Sequence, residues 1–362
     1  MSRTYDYLII GAGSAGCVLA NRLTESGRHQ VALLEAGPRD TNPWIHIPLG
    51  YGKLFADTTV NWAYESEPEP HCHGRRIFTP RGKVLGGSSS INGLVYIRGQ
   101  PEDFDEWAVP GWAWKDLLPC FIKAEDQSRG ADAFHGVGGP LKVSDLPDTH
   151  ELADAFIASA VADGLPRNPD FNGATQEGAG YYQANLRHGR RISTAVGYLR
   201  PAEKRPNLRV EVNALARRIL FEGTRAVGVE FLRGDRPEVI RANEVILCGG
   251  AFNSPQLLQL SGIGPAAQLH GLGIPVVADS PDVGECLQDH FYVRTYWTCN
   301  RPITINDDMA TWWGQLRIGL KYLLQRRGPL TVSAGYAAAF ARTRPDVPRP
   351  DAQYYFINFS IA

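Results

Sequence analysis

The chain has 362 residues, with 37 Lys or Arg against 38 Asp or Glu, so its formal net charge is −1. This balance argues against a protein that binds nucleic acid, because such proteins need a strong excess of basic residues on one face to bind the phosphate backbone. Apolar residues make up 43% and charged residues 21% of the chain, which excludes wholesale disorder. A chain of this length usually forms about two domains.

The six cysteines show none of the close pairings that zinc ribbons or redox motifs use. Reduced thiols and a cytoplasmic location are therefore expected. The N-terminus leads directly into an apolar strand, without the features of a signal peptide. No apolar run approaches the ~20 residues that cross a bilayer. Peripheral attachment to the inner face of a membrane stays open.

A strand, a turn and a helix open the chain. The apolar run Tyr7–Ile10 predicts a buried strand. Apolar spacing predicts a helix over 14–26, ended by Gly27. A second buried strand, Val31–Leu34, leads into Glu35. Between the first strand and the helix stands the motif Gly11-Ala12-Gly13-Ser14-Ala15-Gly16.

This motif predicts a dinucleotide site, because it stands in the strand–turn–helix context that makes it informative. Gly11 would permit the tight turn, Gly13 would let a pyrophosphate approach the backbone, and Gly16 would let helix and strand pack closely. The helix start offers free N–H groups to phosphates. Glu35 can accept hydrogen bonds from ribose hydroxyls, which disfavours NADP. The alternative is that these glycines only form turns.

The motif alone leaves FAD and NAD open. NAD would need a second regular mononucleotide half, whereas the chain from Ala36 to about residue 80 is irregular and rich in Pro, Trp and Gly. The next segment, Pro80–Gly93, is rich in glycine and serine. Small residues let a backbone lie flat against a planar ring and bind its heteroatoms through N–H and hydroxyl groups. A glycine-rich loop beside a helix start is the other interpretation.

With these residues in view, the chain resembles the glucose–methanol–choline (GMC) oxidoreductase family of flavoproteins. The resemblance is closest to the choline-dehydrogenase-like and acceptor-dependent alcohol dehydrogenase branch, and it runs essentially from end to end. The motifs that carry it are Gly11 to Gly16 with Leu34-Glu35-Ala36-Gly37, Asn61-Trp62, Arg81-Gly82-Lys83 through Gly99, His135-Gly136 with Gly139-Pro140-Leu141, Gly250 through Gly264, and Val283-Gly284-Glu285 with Leu287-Gln288-Asp289-His290.

The resemblance implies a non-covalent FAD. Some relatives attach the flavin through a histidine, and Ile91, which has no nucleophile, stands at that position. Cys286 stands where relatives usually carry asparagine. The implied contacts are Gly11, Ser14, Ala15 and Gly16, beside Gly13, for the pyrophosphate; Glu35 and Ala36 for the adenosine ribose; Arg81, Val84, Gly86, Gly87, Asn92, Gly93, Leu94 and Val95 for the flavin and its chain; Val212 for adenine; and Ala251 near the nucleotide.

The implied fold class is α/β, or α+β overall. A Rossmann-like parallel-sheet domain would bind FAD, and an antiparallel-sheet domain, incomplete at its C-terminus, would bind substrate. We expect the FAD domain over 1–147 and 187–290 and the substrate domain over 148–186 and 291–362.

Residue patterns predict the remaining elements. They are a helix over 151–162, a loop region over 168–182, a small β-meander over 209–247, strands over 291–299 and 352–361, and a helix over 309–327. On the last helix, Trp312 and Trp313 are expected in the core rather than in contact with substrate, because large aromatic side chains dominate packing.

The family's reaction removes two hydrogens from an alcohol: a base takes the hydroxyl proton and hydride passes to the flavin N5 atom. The resemblance therefore implies that a small-molecule alcohol, choline-like or aliphatic, is oxidised to an aldehyde. Electrons would pass to an unidentified acceptor other than NAD. An oxygen-using oxidase is the alternative enzyme, an inactive truncated flavin-binding product is the alternative outside enzymes, and an NAD dehydrogenase is a third possibility.

No catalytic residue is assigned, because the resemblance places the family's histidine base in a segment after Ala362. His290 stands where the resemblance gives no acid–base role. No metal is expected either, since His71-Cys72-His73 has the pattern of a solvated loop and a closed site needs about four ligands. As an incomplete family member, the chain is expected to bind FAD weakly, turn over poorly and aggregate.

Overall fold

The computed structural model describes residues 4–360, which form two compact units. The first unit contains the residues up to Asn42, Lys53–Ile91 and Ser193–Val293, and the second contains Pro43–Gly52, Asn92–Ile192 and the residues from Arg294. This division differs from the predicted division into an FAD domain and a substrate domain, chiefly because residues 92–147 cluster with the second unit. The assignment of FAD and substrate to particular residue ranges stays a prediction.

A six-stranded sheet forms the frame of the first unit. Its strands, in spatial order, are Leu208–Glu211, Val31–Leu34, Thr4–Ile10, Arg236–Leu247, Arg225–Arg233 and Ala214–Glu222. The first four run parallel and the last two are added antiparallel. Leu8 and Ile9 are both fully buried, as a central parallel strand requires, because both of its faces are covered. The predicted strands at 7–10 and 31–34 are confirmed.

Helices and short pairs complete the first unit. The helices are Ser14–Thr24, Arg200–Ala202, Gly250–Leu260 and Ala266–Gly271, with 3₁₀ turns at Pro70–Cys72 and Gly87–Ser90 and a π-helical turn at Ala195–Leu199. The short strand pairs are Tyr64–Glu65 with Phe78–Thr79 and Ile263–Gly264 with Ala278–Asp279. The helix predicted over 14–26 is confirmed and ends at Thr24.

Two sheets organise the second unit. One is antiparallel, in the order Ala352–Phe356, Ala337–Ala341, Gly178–Tyr181. The other joins Val95–Tyr96, Gln183–Ala184, Leu141–Asp145 and Glu125–Gln127, with only the last pair parallel. A hairpin pairs Leu186–Arg187 with Arg190–Arg191. The predicted loop region over 168–182 is therefore wrong for Gly178–Tyr181, where Gly178 and Gly180 let the strand pass close to the backbone of 166–168.

The helices of the second unit are mostly short. They are Pro43–His46, Pro101–Asp105, Trp114–Ala124, Glu151–Ala162, Ile305–Met309 and Trp312–Gln325, with 3₁₀ turns at Pro48–Gly50 and Pro329–Thr331; the helix Tyr51–Leu54 contains the chain boundary between the units. Glu151–Ala162 coincides with its prediction. It buries Ala153 and Ile157 against the antiparallel sheet.

Three further sequence predictions need correction. Residues 291–299 form no regular strand, and Phe291 and Trp297 are almost fully exposed. The predicted strand over 352–361 ends at Phe356, and residue 361 lies outside the described residues. Trp312 and Trp313 are 62% and 64% exposed, so their expected place in the core is wrong.

The helix Trp312–Gln325 explains the last correction. It buries Ile318 and Tyr322, which are four residues apart and therefore share one face. The two tryptophans project from a different part of the same helix. Neighbouring elements cover only one face of this helix, and its other apolar residues stay exposed.

A buried polar cluster also supports the second unit. The Arg98 guanidinium donates to Glu125, and His135 lies between two carboxylates, with Nδ1 3.1 Å from Glu125 and Nε2 2.9 Å from Asp170. Burial alone would lower the pKa of His135, but the hydrogen bonds to Asp170 and Glu125 raise it. The cluster thus pairs charges that would be costly to bury alone.

The sheets of the two units settle the fold class. One sheet is mainly parallel and the others are mainly antiparallel, so the predicted mixed α/β class is confirmed.

Candidate dinucleotide-binding site

The first glycine turn is packed too closely for side chains. A Cβ atom on Gly11, which has φ +100°, would lie 2.4 Å from the carbonyl oxygen of Cys248. A Cβ atom on Gly16 would lie 1.9 Å from the carbonyl oxygen of Gly11. Both distances are far below van der Waals contact, so the turn and the helix–strand approach require glycine at these two positions.

Gly13 differs from its neighbours. Its Cβ would meet nothing nearer than the Cys248 oxygen at 3.9 Å, so packing within the chain does not demand glycine there. Gly13 is the N-cap of the helix Ser14–Thr24, its first turn holds no acidic residue, and Ser14 and Ala15 are exposed. The first N–H groups of this helix and its positive dipole end therefore suit an anion such as a pyrophosphate.

Glu35 closes the turn onto the second strand. Its Oε2 accepts a hydrogen bond from the Ala12 N–H at 2.9 Å, and its Oε1 accepts one from the Gly37 N–H at 2.9 Å. Burial raises the pKa of Glu35 to about 7, against the lowering effect of these N–H donors. The Ala36 N–H is a third backbone donor to the carboxylate. A carboxylate has about four acceptor directions, so one remains that a ribose hydroxyl can use.

The second glycine-rich segment packs directly against the first. The Gly86 N–H donates to the Ala12 carbonyl at 2.8 Å. Gly87 has φ +53°, and a Cβ atom on it would lie 2.7 Å from the Gly13 Cα atom. Two motifs that are about 70 residues apart in the sequence thus form one surface of backbone amides in the first unit.

The remaining predicted residues of the first unit surround this surface in different ways. Val84 is fully buried, and its carbonyl accepts a hydrogen bond from the Gly87 N–H. The Arg81 guanidinium lies 4.8 Å from the centre of the Phe252 ring and 3.4 Å from an Asp289 oxygen. Ala36 is half-buried beside Glu35.

Val212 and Ala251 are placed by the sheet. The Glu35 N–H donates to the Glu211 carbonyl, and the Asn213 N–H donates to the Gly37 carbonyl, so Val212 stands beside Ala36. Ala251 is exposed at the start of Gly250–Leu260, the helix that follows the strand paired with Thr4–Ile10. Both positions border the carboxyl ends of the parallel strands, where open α/β sheets bind ligands.

The other predicted contacts lie in the second unit. They are Asn92, Gly93, Leu94 and Val95, which lead into the strand Val95–Tyr96. Leu94 has φ +64°, a conformation unusual for leucine. The Leu94 N–H donates to the Asn92 side-chain oxygen at 3.1 Å, so the asparagine closes a local turn.

Sequence reasoning did not assign Gly37 or Gly82 to the site, although both pack against the second glycine-rich segment. A Cβ on Gly37 would lie 1.8 Å from the Lys83 carbonyl oxygen, and a Cβ on Gly82 would lie 2.2 Å from the Gly87 backbone. Both hold the second glycine-rich segment in place. Both glycines stand inside motifs that carry the family resemblance, and this position could have assigned them to the site.

Known proteins resemble this chain along most of its length. The model of the GMC oxidoreductase family matches residues 5–292. The chain is 45% identical to the mitochondrial choline dehydrogenase of Mus musculus, over 98% of this chain and 61% of that protein. It is 44% identical to the alcohol dehydrogenase [acceptor] of Pseudomonas putida, over 98% of this chain and 65% of that protein.

A solved structure shows the same fold. An FAD-dependent oxidoreductase from Chaetomium thermophilum superposes with a TM-score of 0.84 and 28% identity, over 93% of this chain and 62% of that one. The chain therefore spans less than two thirds of the length of each of these relatives.

Proposed function

The chain belongs to the GMC oxidoreductase family, and on this basis we propose that it binds FAD non-covalently and serves the oxidation of an alcohol to an aldehyde. The observation that carries the proposal is the contact between the two glycine-rich segments at Ala12–Gly86 and Gly13–Gly87, in front of a helix N-terminus. When bound, FAD would accept the hydride that leaves the alcohol carbon.

The chain's own residues have separate tasks. The helix start at Ser14 and Ala15 binds the pyrophosphate, and Glu35 accepts hydrogen bonds from the ribose. Gly86 and Gly87 let the backbone approach a planar ring closely. Ile91, which is 2% exposed and purely hydrocarbon, offers no atom for a covalent bond to the flavin.

We propose a primary alcohol as the substrate, choline-like or aliphatic, and an electron acceptor other than NAD. The support is the similarity to a choline dehydrogenase and to an acceptor-dependent alcohol dehydrogenase. An oxygen-using oxidase is the alternative, and peroxide release distinguishes it. No residue of this chain is proposed as the base. His290 lies exposed in an irregular stretch, where its backbone N–H donates to the side chain of its neighbour Asp289.

The proposal is tested in two steps. The purified chain should be titrated with FAD, with the quenching of flavin fluorescence as the signal. The titration should reach saturation at one FAD per chain. The complete gene product, loaded with FAD under anaerobic conditions, should then lose its flavin absorbance when choline or a primary aliphatic alcohol is added. Absence of FAD binding contradicts the cofactor assignment, and a bound flavin that no alcohol reduces contradicts the reaction.

We further propose that the helix Trp312–Gln325 attaches the protein to a membrane surface. Within residues 4–360 no helix combines the length and apolarity needed to cross a bilayer. On this helix, however, six large apolar side chains are between 44% and 79% exposed: Trp312, Trp313, Leu316, Leu320, Leu323 and Leu324. Tryptophan and leucine on one face of an amphipathic helix are typical of helices that lie in the membrane interface.

Charge favours an anionic lipid surface over a second copy of the chain. Arg317, Lys321, Arg326 and Arg327 lie on or directly after the helix. Arg317 pairs with Asp308, and Lys321 and Arg327 pair with Asp148, but these three cationic side chains stay 42% to 71% exposed. Exposed pairs of this kind offset the charge only in part, so in a symmetric dimer the cations would lie beside their own copies and repel each other. Phosphatidylserine headgroups would meet them with opposite charge.

We expect the double variant Trp312→Ser, Trp313→Ser to bind vesicles at least about tenfold more weakly, because burying each aromatic side chain contributes roughly 1.5–3 kcal/mol. Sedimentation with phosphatidylcholine vesicles, with and without phosphatidylserine, measures this. The control is Trp112→Ser, which removes an indole that is 52% exposed elsewhere in the same unit. Equal binding by the double variant and the wild type contradicts the proposal, as does a complete gene product that binds neither vesicle.

A further inference from the structure

Arg191 is the largest fully buried side chain of the described residues and belongs to the hairpin strand Arg190–Arg191. Its Nε–H donates to the Ile45 carbonyl at 2.8 Å. Burial lowers the pKa of Arg191 to about 9, which still leaves the guanidinium charged at neutral pH. A charge buried this deeply calls for an explanation, because removing it from water is costly.

The two remaining nitrogens of this guanidinium both donate to Asn92. One donates to the Asn92 side-chain oxygen at 2.6 Å, and the other donates to the Asn92 carbonyl at 2.6 Å. A planar fork with two parallel donors matches two oxygens of one residue, and a lysine ammonium cannot reproduce that geometry. Arg191 therefore determines both the rotamer of Asn92 and the direction of its peptide group.

Asn92 passes this constraint to the next residues. The same side-chain oxygen accepts from the Leu94 N–H at 3.1 Å, and Leu94 adopts the left-handed conformation at φ +64°. The carbonyl groups of Gly93 and Leu94 accept hydrogen bonds from the N–H groups of Ala334 and Asn185. Non-glycine residues persist in such conformations only where their surroundings determine them, and such sites cluster at ligand-binding positions.

We propose that Arg191 is a positioning residue for FAD, which acts through Asn92 to set the conformation of the segment Asn92–Val95. The inference rests on the proposed function, since it takes this segment to be part of the FAD site. Arg191 itself need not touch the cofactor. It prearranges the backbone, so that FAD binding does not have to order the segment.

The main test is Arg191→Lys, which keeps the positive charge but loses the two-pronged contact. We expect the dissociation constant for FAD to rise at least about tenfold, and the visible circular dichroism of the bound flavin to change. The matched control is Arg98→Lys, which alters another buried guanidinium of the same unit, one that pairs with Glu125. The control should lower the melting temperature of the FAD-free chain by a similar amount and leave the FAD affinity within about twofold.

A double-mutant cycle separates positioning from general destabilisation. If Arg191 acts through Asn92, the double variant Arg191→Lys, Asn92→Ala should bind FAD no more weakly than Asn92→Ala alone. Additive losses contradict the inference, as does an FAD affinity that follows the melting temperature equally in the Arg191 and Arg98 variants. If wild-type chain binds FAD and Arg191→Lys binds it equally well, only this inference fails. If the wild type does not bind FAD, the proposed function itself fails.

Discussion

We expect the variant Gly87→Ala to bind FAD at least about tenfold more weakly than the wild type, a loss of ~1.4 kcal/mol or more in binding free energy. The added methyl group would lie 2.7 Å from the Gly13 Cα atom, and the backbone at Gly87 has φ +53°. Neither segment can retreat easily, because the Gly86 N–H is bonded to the Ala12 carbonyl. The two amide-lined segments should separate at the place proposed for the pyrophosphate and the flavin.

The same variant should lower the free energy of unfolding by about 2 kcal/mol, through the strained backbone and the steric overlap. Fluorescence titration with FAD and urea denaturation measure the two effects. Gly271→Ala is the matched control, since Gly271 ends the helix Ala266–Gly271 in the same unit and a Cβ there meets nothing within 4 Å. The control should leave both quantities nearly unchanged. Wild-type FAD affinity in Gly87→Ala would show that the contact between the segments does not shape the site.

The second large effect concerns Glu35 and pH. Burial raises the pKa of this carboxyl to about 7 in the FAD-free chain, whereas ribose hydroxyls would donate to the charged form. FAD affinity should therefore rise with pH up to about 7, by as much as about tenfold per pH unit, and level off above it. FAD titrations at several pH values between 5.5 and 8.5 measure this dependence.

Stability of the FAD-free chain should change in the opposite sense. The folded pKa of Glu35 lies above its unfolded value, so its contribution to stability is fully present below the unfolded pKa and is lost as pH rises through about 7. The shift corresponds to roughly 3 kcal/mol. Urea denaturation of the FAD-free chain across the same pH range is the corresponding measurement.

The variant Glu35→Gln should abolish this pH dependence and weaken FAD binding by about tenfold to a hundredfold. In the wild type, the N–H groups of Ala12 and Gly37 both donate to carboxylate oxygens. A glutamine amide would turn its NH₂ group toward one of these two donors, so that one hydrogen bond is lost. Glu222→Gln is the control, because Glu222 lies in the same unit but is largely exposed and pairs only at the surface with Arg241. An unchanged pH profile in Glu35→Gln would remove Glu35 from the FAD site.

The sequence alone determined those features whose causes are local. The strand–turn–helix unit around Gly11–Gly16 follows from neighbouring glycines, apolar runs and a helix start, all within about 25 residues. The helix Glu151–Ala162 follows equally from its own spacing. The family resemblance rests on the same kind of short motif, and the matching family model confirms it.

Tertiary structure alone decided which segments meet and which faces are covered. Nothing near Gly87 in the sequence shows that it packs against Gly13, or that Arg191 reaches back to Asn92 across about 100 residues. The exposure of Trp312 and Trp313 was predicted wrongly for the same reason. Apolar periodicity shows that a helix has an apolar face, but burial depends on what packs against that face, and contacts between distant parts of the chain leave no periodic signal in the sequence.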